Sequence, residues 1–136
     1  MFDNYKDGLH WTSQEELVRG IDTAGNAVFY CIARYPSEDT IIKCHDLLKP
    51  LMPPIDIWDE FREAGERGNT GGGWHRFEGK YLEYLETNPE ARETAQQVKA
   101  KAKVRPVWLV GNMKRDTHSE AKLLKNYIEN KLALSA

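Results

Sequence analysis

The sequence predicts an α/β fold: a small, mostly parallel sheet of about three or four strands covered by helices, in a single domain spanning residues 1–136. Three observations lead there. Two segments, Asn-Ala-Val-Phe-Tyr-Cys-Ile-Ala at 26–33 and Val-Arg-Pro-Val-Trp-Leu-Val-Gly at 104–111, are rich in β-branched and aromatic residues. They are apolar on both faces, as strands buried on both sides of a sheet are. Helical patterns alternate with them, and a long helical crossover separates the two, which makes them parallel. No internal repeat and no second domain is visible.

Along the chain, residues 6–11 read as a short strand leading into a helix. Thr12 and Glu15 have the Thr-x-x-Glu spacing of a capping box, in which hydroxyl and carboxylate each satisfy a free amide. The helix presents Leu17, Val18 and Ile21 and breaks before Gly25, and the strand at 26–33 stops at Pro36-Ser37. In 38–54, Ile41, Ile42, Cys44, Leu47, Leu48 and Leu51 could line one side of a helix, which Pro50, Pro53 and Pro54 end. The next helix begins near Asp56, carries Ile57, Trp58, Phe61 and Ala64, and terminates at Gly65 as a left-handed cap. Five glycines among residues 65–73 predict a flexible loop, a plain connection without the Gly-Lys-Ser/Thr of a phosphate loop.

Trp74, Phe77, Tyr81, Tyr84 and Leu85 then fall on a helical stripe. Asn88-Pro89-Glu90 opens another helix with cap, proline and first-turn acid in order. Its small residues Ala91, Ala95, Val98 and Ala102 allow close packing on a neighbour. The strand at 104–111 follows, with Pro106 at its start, where a missing amide does little harm. In the last helix Thr117 and Glu120 repeat the capping-box spacing, ahead of Ala121, Leu124, Ile128 and Leu132.

Composition excludes several classes. With 40% hydrophobic residues and 4 Trp the chain can build a core. It has no apolar run near the roughly 20 residues of a membrane span. The first residues, Met-Phe-Asp-Asn-Tyr-Lys-Asp, lack a secretory signal pattern, so Cys31 and Cys44 are expected as thiols in a reducing, cytoplasmic location. Net charge is -2 but unevenly spread: residues 96–136 hold nine Lys/Arg and three Asp/Glu. The plainer reading is that opposite charges meet in the folded domain or on a partner subunit, and a basic face for polyanions is the sharper alternative.

Two stretches resemble the family catalogued as domain of unknown function 488. Residues 8–37 are similar to its opening strand, Ser-x-Glu-Glu-type helix and second strand ending in an aromatic-Pro turn, here Tyr35-Pro36. Residues 74–85 resemble its Trp-x-x-Phe-x-x-x-Tyr-x-x-x-Leu helix. Val107-Trp108-Leu109-Val110 and His118-Ser119-Glu120-Ala121-Lys122-Leu123-Leu124 resemble its final strand and helix, most closely in the YeaO-like subgroup. The resemblance implies a fold and no assigned activity. The family's Asp-x-Arg after the second strand aligns with Cys31 and Ala33 here, with Arg34 displaced by one. Ser119-Glu120-Ala121 stands where a Cys-His-Arg run often opens the last helix, and the Gly-His-Ser of the first strand is at best Gly8-Leu9-His10. The chain reads as a divergent member, and no catalytic residue is assigned.

A site is expected at the strand ends. The loop of residues 111–117 joins a buried strand to a helix start, where free amides and the helix dipole favour an anion. Asn112, Lys114, Arg115, Thr117 and His118 supply hydrogen bonds, charge and a group titrating near neutrality. Arg34 ends the other strong strand, and lies on the same edge if the two are parallel neighbours. The leading expectation is therefore a binder of a small anionic ligand, with undefined enzymatic role and no cofactor. No His or Cys pair has metal-ligand spacing, so no metal is expected. Asp56, Asp59, Glu60 and Glu63 read as a solvated helix face, and the aromatic stripe as core. The alternatives are an accessory module docking on nucleic acid or an acidic protein through the basic C-terminal third, and an inactive subunit of an assembly.

Overall fold

The computed structural model describes residues 8–20, 25–112 and 118–132. Among these residues the single-domain α/β fold is built on four parallel strands: β1 (Gly8–Ser13), β2 (Val28–Cys31), β3 (Asp46–Leu47) and β4 (Pro106–Gly111). Their order across the sheet is β1-β4-β2-β3. The two strands legible in the sequence are thus parallel neighbours, with Phe29 opposite Trp108 and Cys31 opposite Val110. Every residue of β4 is buried, because it is flanked on both edges and covered on both faces.

Among the described residues six α-helices pack around the sheet. They are α1 (Gln14–Arg19), α2 (Glu38–Lys43), α3 (Ile55–Glu66), α4 (Thr70–Thr87), α5 (Pro89–Ala102) and α6 (Glu120–Asn130). One contiguous core joins Leu9, Val107 and Leu109 of the sheet to Trp58, Phe77, Tyr81, Leu85, Ala95, Leu124 and Ile128 from α3–α6. The short helices α1 and α2 form a smaller layer, contacting each other and the strands, with Leu17 and Thr40 buried. Among the described residues no helix is long and apolar enough to cross a membrane.

Local chemistry explains most boundaries. Asn88 caps α5 through its side chain, which accepts the Ala91 N–H at 3.0 Å, and the predicted small-residue face of α5 is buried throughout. Elsewhere the sequence expectations shift. The cap of α1 is Ser13, not Thr12: Ser13 Oγ accepts the Glu16 N–H at 3.2 Å, and the acidic partner is Glu16. The cap of α6 is Ser119, whose Oγ accepts the Lys122 N–H at 3.2 Å; Thr117 lies outside the described residues, as does Ile21. In both cases a serine stood nearer the first buried turn than the threonine.

The single helix expected within 38–54 is instead α2, β3 and a one-turn 3-10 helix, Lys49–Leu51. Cys44 ends α2 in an extended conformation, and Ile41 and Ile42 are exposed. Backbone pairing with β2 outweighs the apolar pattern there: His45 N donates to Phe29 O at 2.8 Å and Leu48 N to Cys31 O at 3.0 Å.

The glycine-rich loop expected at 65–73 is mostly helix. Helix α3 runs through Gly65 to Glu66, α4 begins at Thr70, and the left-handed glycine is Gly68 (φ +80°) rather than Gly65. The later glycines serve close packing. A Cβ on Gly73 would sit 2.6 Å from the buried Ala64 Cβ, so Gly73 lets α4 lie directly on α3. Gly73→Ala is expected to cost about 1–3 kcal/mol of overpacking against about 1 kcal/mol of helix propensity gained, a net loss of up to about 2 kcal/mol. Urea unfolding checks this, and a stabilised variant would mean the two helices are not in contact.

Candidate functional site

Because all four strands run the same way, their C-terminal ends form one edge, where Thr12, Val110, Cys31 and Leu47 stand in register and Ser13 and Gly111 pair one residue further on. Parallel α/β sheets bind ligands beyond this edge. The connections leaving it bring side chains from distant parts of the chain together. Gln14, the first residue of α1, spans the edge: its amide oxygen accepts the Ser37 N–H at 2.8 Å and its amide nitrogen donates to Asn112 Oδ1. Residues after β1, β2 and β4 are thereby tied together.

Beneath this tie lies Glu120. It opens α6, is 0% exposed, and its Oε2 accepts the Asn112 N–H at 2.9 Å. Gly111 makes room for it, since a Cβ there would approach Glu120 Oε1 and Ala121 Cβ at 2.8 Å each. The buried polar residues among those described are Thr12, Ser13, Thr40, Ser119 and Glu120. Four of these five are the last two residues of β1 and the cap and first residue of α6, and Thr40 bonds the Oγ of Ser37, Gln14's partner, at 2.9 Å. Burying polar groups is costly unless they are bonded, so their gathering at one edge marks a place where packing was not the only requirement.

Arg34 follows β2 on the same edge and is half-buried. Its Nε donates to Pro53 O at 2.9 Å, and its terminal nitrogens meet no carboxylate among the described residues. Its charge is felt by two phenols behind it. Burial pushes Tyr81 well above the usual tyrosine range, Glu120 adds to that, and Arg34 opposes it. Burial also raises Tyr84, again with Arg34 in opposition. Both phenols are anchored on the 3-10 turn, Tyr81 Oη to Leu51 O at 2.6 Å and Tyr84 Oη to Pro50 O at 2.7 Å. These bonds fix the wall of α4 that faces the cation.

Of the expected site residues, Arg34 and Asn112 lie at the edge, bridged by Gln14 through the Tyr35–Ser37 segment. His118 precedes α6 and packs edge-on against Trp74, with ring centroids 5.1 Å apart. Lys114, Arg115 and Thr117 lie outside the described residues. Sequence reasoning missed Gln14 and Glu120. A polar residue directly after a strand signals little by itself. Glu120 read as a capping acid, and only Gly111, at the end of an otherwise bulky strand, hinted that something approaches the backbone there. Among the described residues no group of three or more His, Cys, Asp or Glu side chains is placed to hold a metal ion.

The family model described as a domain of unknown function, DUF488, matches residues 42–128, more than half of the chain. The chain belongs to this family. The DUF488 match takes in the second of the two resembling stretches, with Tyr81, Tyr84, Asn112, His118 and Glu120, and begins after Gln14 and Arg34. No curated protein and no solved structure matches this DUF488 chain.

Proposed function

We propose that the strand-end edge binds a small anionic ligand, with Arg34 as the cation that receives it. The observation carrying this reading is the half-buried guanidinium, held by one backbone carbonyl and left with its terminal N–H groups unengaged by any described carboxylate. A buried or half-buried arginine is ordinarily paired, and its planar fork suits a carboxylate or phosphate. Asn112 and Gln14 supply hydrogen bonds at the same edge, and Lys114, Arg115, Thr117 and His118, next in sequence after Asn112, add charge, a hydroxyl and an imidazole.

Inorganic phosphate is the first probe, at ionic strength matched with sodium chloride. A ligand at a hundredfold excess over its Kd stabilises by about 2.7 kcal/mol, which a thermal melt reads as several degrees. Wild type is expected to show the shift, Arg34→Ala to lose it, and Lys114→Ala with Arg115→Ala to abolish it. Equal shifts in all three proteins sink the reading.

A second reading has its own observation. Lys101, Lys103 and Arg105 are exposed around Val104, itself 67% exposed, where α5 turns into β4. This basic cluster is at the opposite end of the sheet from Arg34 and suits docking on a polyanion. Affinity for single-stranded nucleic acid that falls steeply with salt, and that survives Arg34→Ala, would favour it.

A further inference from the structure

We propose that a cavity at the end of the sheet opposite Arg34 holds a small amphipathic carboxylate, its apolar body inside and its carboxylate on Lys99 and Lys103. This goes beyond both functional readings, since a compact anion at the strand ends and a polyanion on the surface each need no apolar pocket. The cavity has a volume of about 440 Å³ and opens where β1 begins and α5 and α6 end. Small-molecule sites usually span about 300–1,000 Å³. Its floor is core: Leu9, Ala102 and Ile128 line it and are 6%, 8% and 1% exposed. The hollow exists because α5 presents only a methyl group there, at Ala102, beside Gly8, which has no side chain at all. A Cβ built on Gly8 would meet nothing within 4 Å, so no neighbouring side chain fills that space.

The charged lining is mostly of one sign. Lys99 is half-buried, and its Nζ donates to Leu132 O at 2.8 Å while meeting no carboxylate among the described residues. Lys103 is exposed at the C-cap of α5 and makes no ion pair among them. The acid that also lines the cavity, Glu129, is already engaged by Lys125 on its own helix at 2.8 Å. Two cations thus stand over an apolar floor without a counter-charge. A half-buried lysine is ordinarily paired, and one bonded to a neutral carbonyl keeps its charge and further N–H donors for a ligand.

Carbonyls at a helix C-terminus repel anions when they are left open. Here the final turns are closed. Lys101 O accepts the N–H groups of Val104 and Arg105 at 3.1 and 3.2 Å, and Tyr127 O accepts those of Lys131 and Leu132 at 3.0 Å each. The ligand class follows from these two linings. Lysine methylenes extend the apolar wall while their ammonium groups select a negative head. A cationic amphiphile leaves the lysines unanswered, and a bare anion leaves the floor in water. Each methylene buried contributes about 0.8 kcal/mol, or about fourfold in affinity.

The test titrates the isotope-labelled full-length chain with hexanoate and octanoate, and with acetate and octylamine as controls, at matched ionic strength. Backbone amide shifts locate the site, and calorimetry gives the affinity. Octanoate is expected to give saturable shifts at Gly8, Leu9, Ala102 and Asn130 and none at Arg34 or Asn112. It should bind about tenfold or more tightly than hexanoate, two methylenes shorter. Acetate and octylamine should not saturate. Lys99→Met with Lys103→Met keeps the apolar stems and should weaken octanoate about tenfold. Ala102→Leu fills the hollow and should abolish the shift at Gly8. Equal affinity for the two acids, saturation by octylamine, shifts centred on Arg34, or no saturation by octanoate would each overturn the proposal. Shifts that appear on concentrating the protein without ligand would assign the cavity to a second copy and overturn it as well. The wild-type titrations decide even if a variant fails to fold, and none of these outcomes depends on phosphate binding.

Discussion

Replacing Phe77 by alanine is expected to remove about 3–5 kcal/mol of stability, a large share of the about 5–15 kcal/mol a domain possesses. Phe77 is 2% exposed and sits among four other rings: Trp58 at 5.8 Å, Phe61 at 5.5 Å, Trp74 at 5.1 Å and Tyr81 at 5.6 Å between centroids. Trp58 meets it edge-on, while Trp74 and Tyr81 stack against it. Flat, rigid rings on two helices cannot collapse into the space that a benzyl group leaves, so the cavity term is expected near its full value. Tyr81 is further restrained by its bond to Leu51 O, and Trp58 by its place on α3. Urea unfolding should show a lower midpoint with an unchanged slope. Trp74→Ala, at the half-buried end of the cluster, should cost less. A loss below about 1 kcal/mol for Phe77→Ala would mean that α3 and α4 do not meet around these rings.

That cluster was legible in the sequence because it repeats with the period of a helix. Phe77, Tyr81 and Leu85 fall on one stripe whatever lies opposite, and the same holds for Ala91, Ala95, Val98 and Ala102. The paired strands β2 and β4 were legible for a related reason: burial on both faces leaves continuous apolar runs. What the pattern could not convey was pairing between distant segments. Strand β3 is two residues long, contains Asp46, and exists because β2 offers it a free edge. The glycines at 71–73 look like loop residues to any local rule, yet α3 lies close enough that Gly73 must lack a Cβ. Distance in the fold, not local preference, decides both.

The candidate site divides along the same line. The positions of Arg34 and Asn112 were legible because strand ends are places a sequence can mark, and the parallel register puts both at one edge. Gln14 could not be found this way, since its bonding partners are Ser37 and Asn112, contributed by other strands' connections. The sequence pattern offered Thr12 and Thr117 as caps, whereas the caps of α1 and α6 are the buried Ser13 and Ser119. Their concentration at one edge emerges only after β1 and β4 are set side by side.

Gly111→Ala should show how tightly that edge is built. The new methyl would meet Ala121 Cβ and Glu120 Oε1 at 2.8 Å each, and Ala121 is fully buried. At Gly73 a gain in helix propensity offsets part of the clash, but Gly111 lies at the end of a strand, where no comparable gain exists. Its overpacking cost, about 1–3 kcal/mol, should therefore appear nearly undiminished in a thermal melt. Relief must come from α6 tilting away from β4, which also withdraws Glu120 from the Asn112 N–H. Ala121→Gly reopens half of the space at a propensity cost of up to about 1 kcal/mol. Combined with Gly111→Ala it should cost clearly less than the two single losses added together, a coupling of at least about 0.5 kcal/mol. Strict additivity would show that Gly111 and Ala121 do not touch, and the buried carboxylate would then need some other reason to sit under the strand ends.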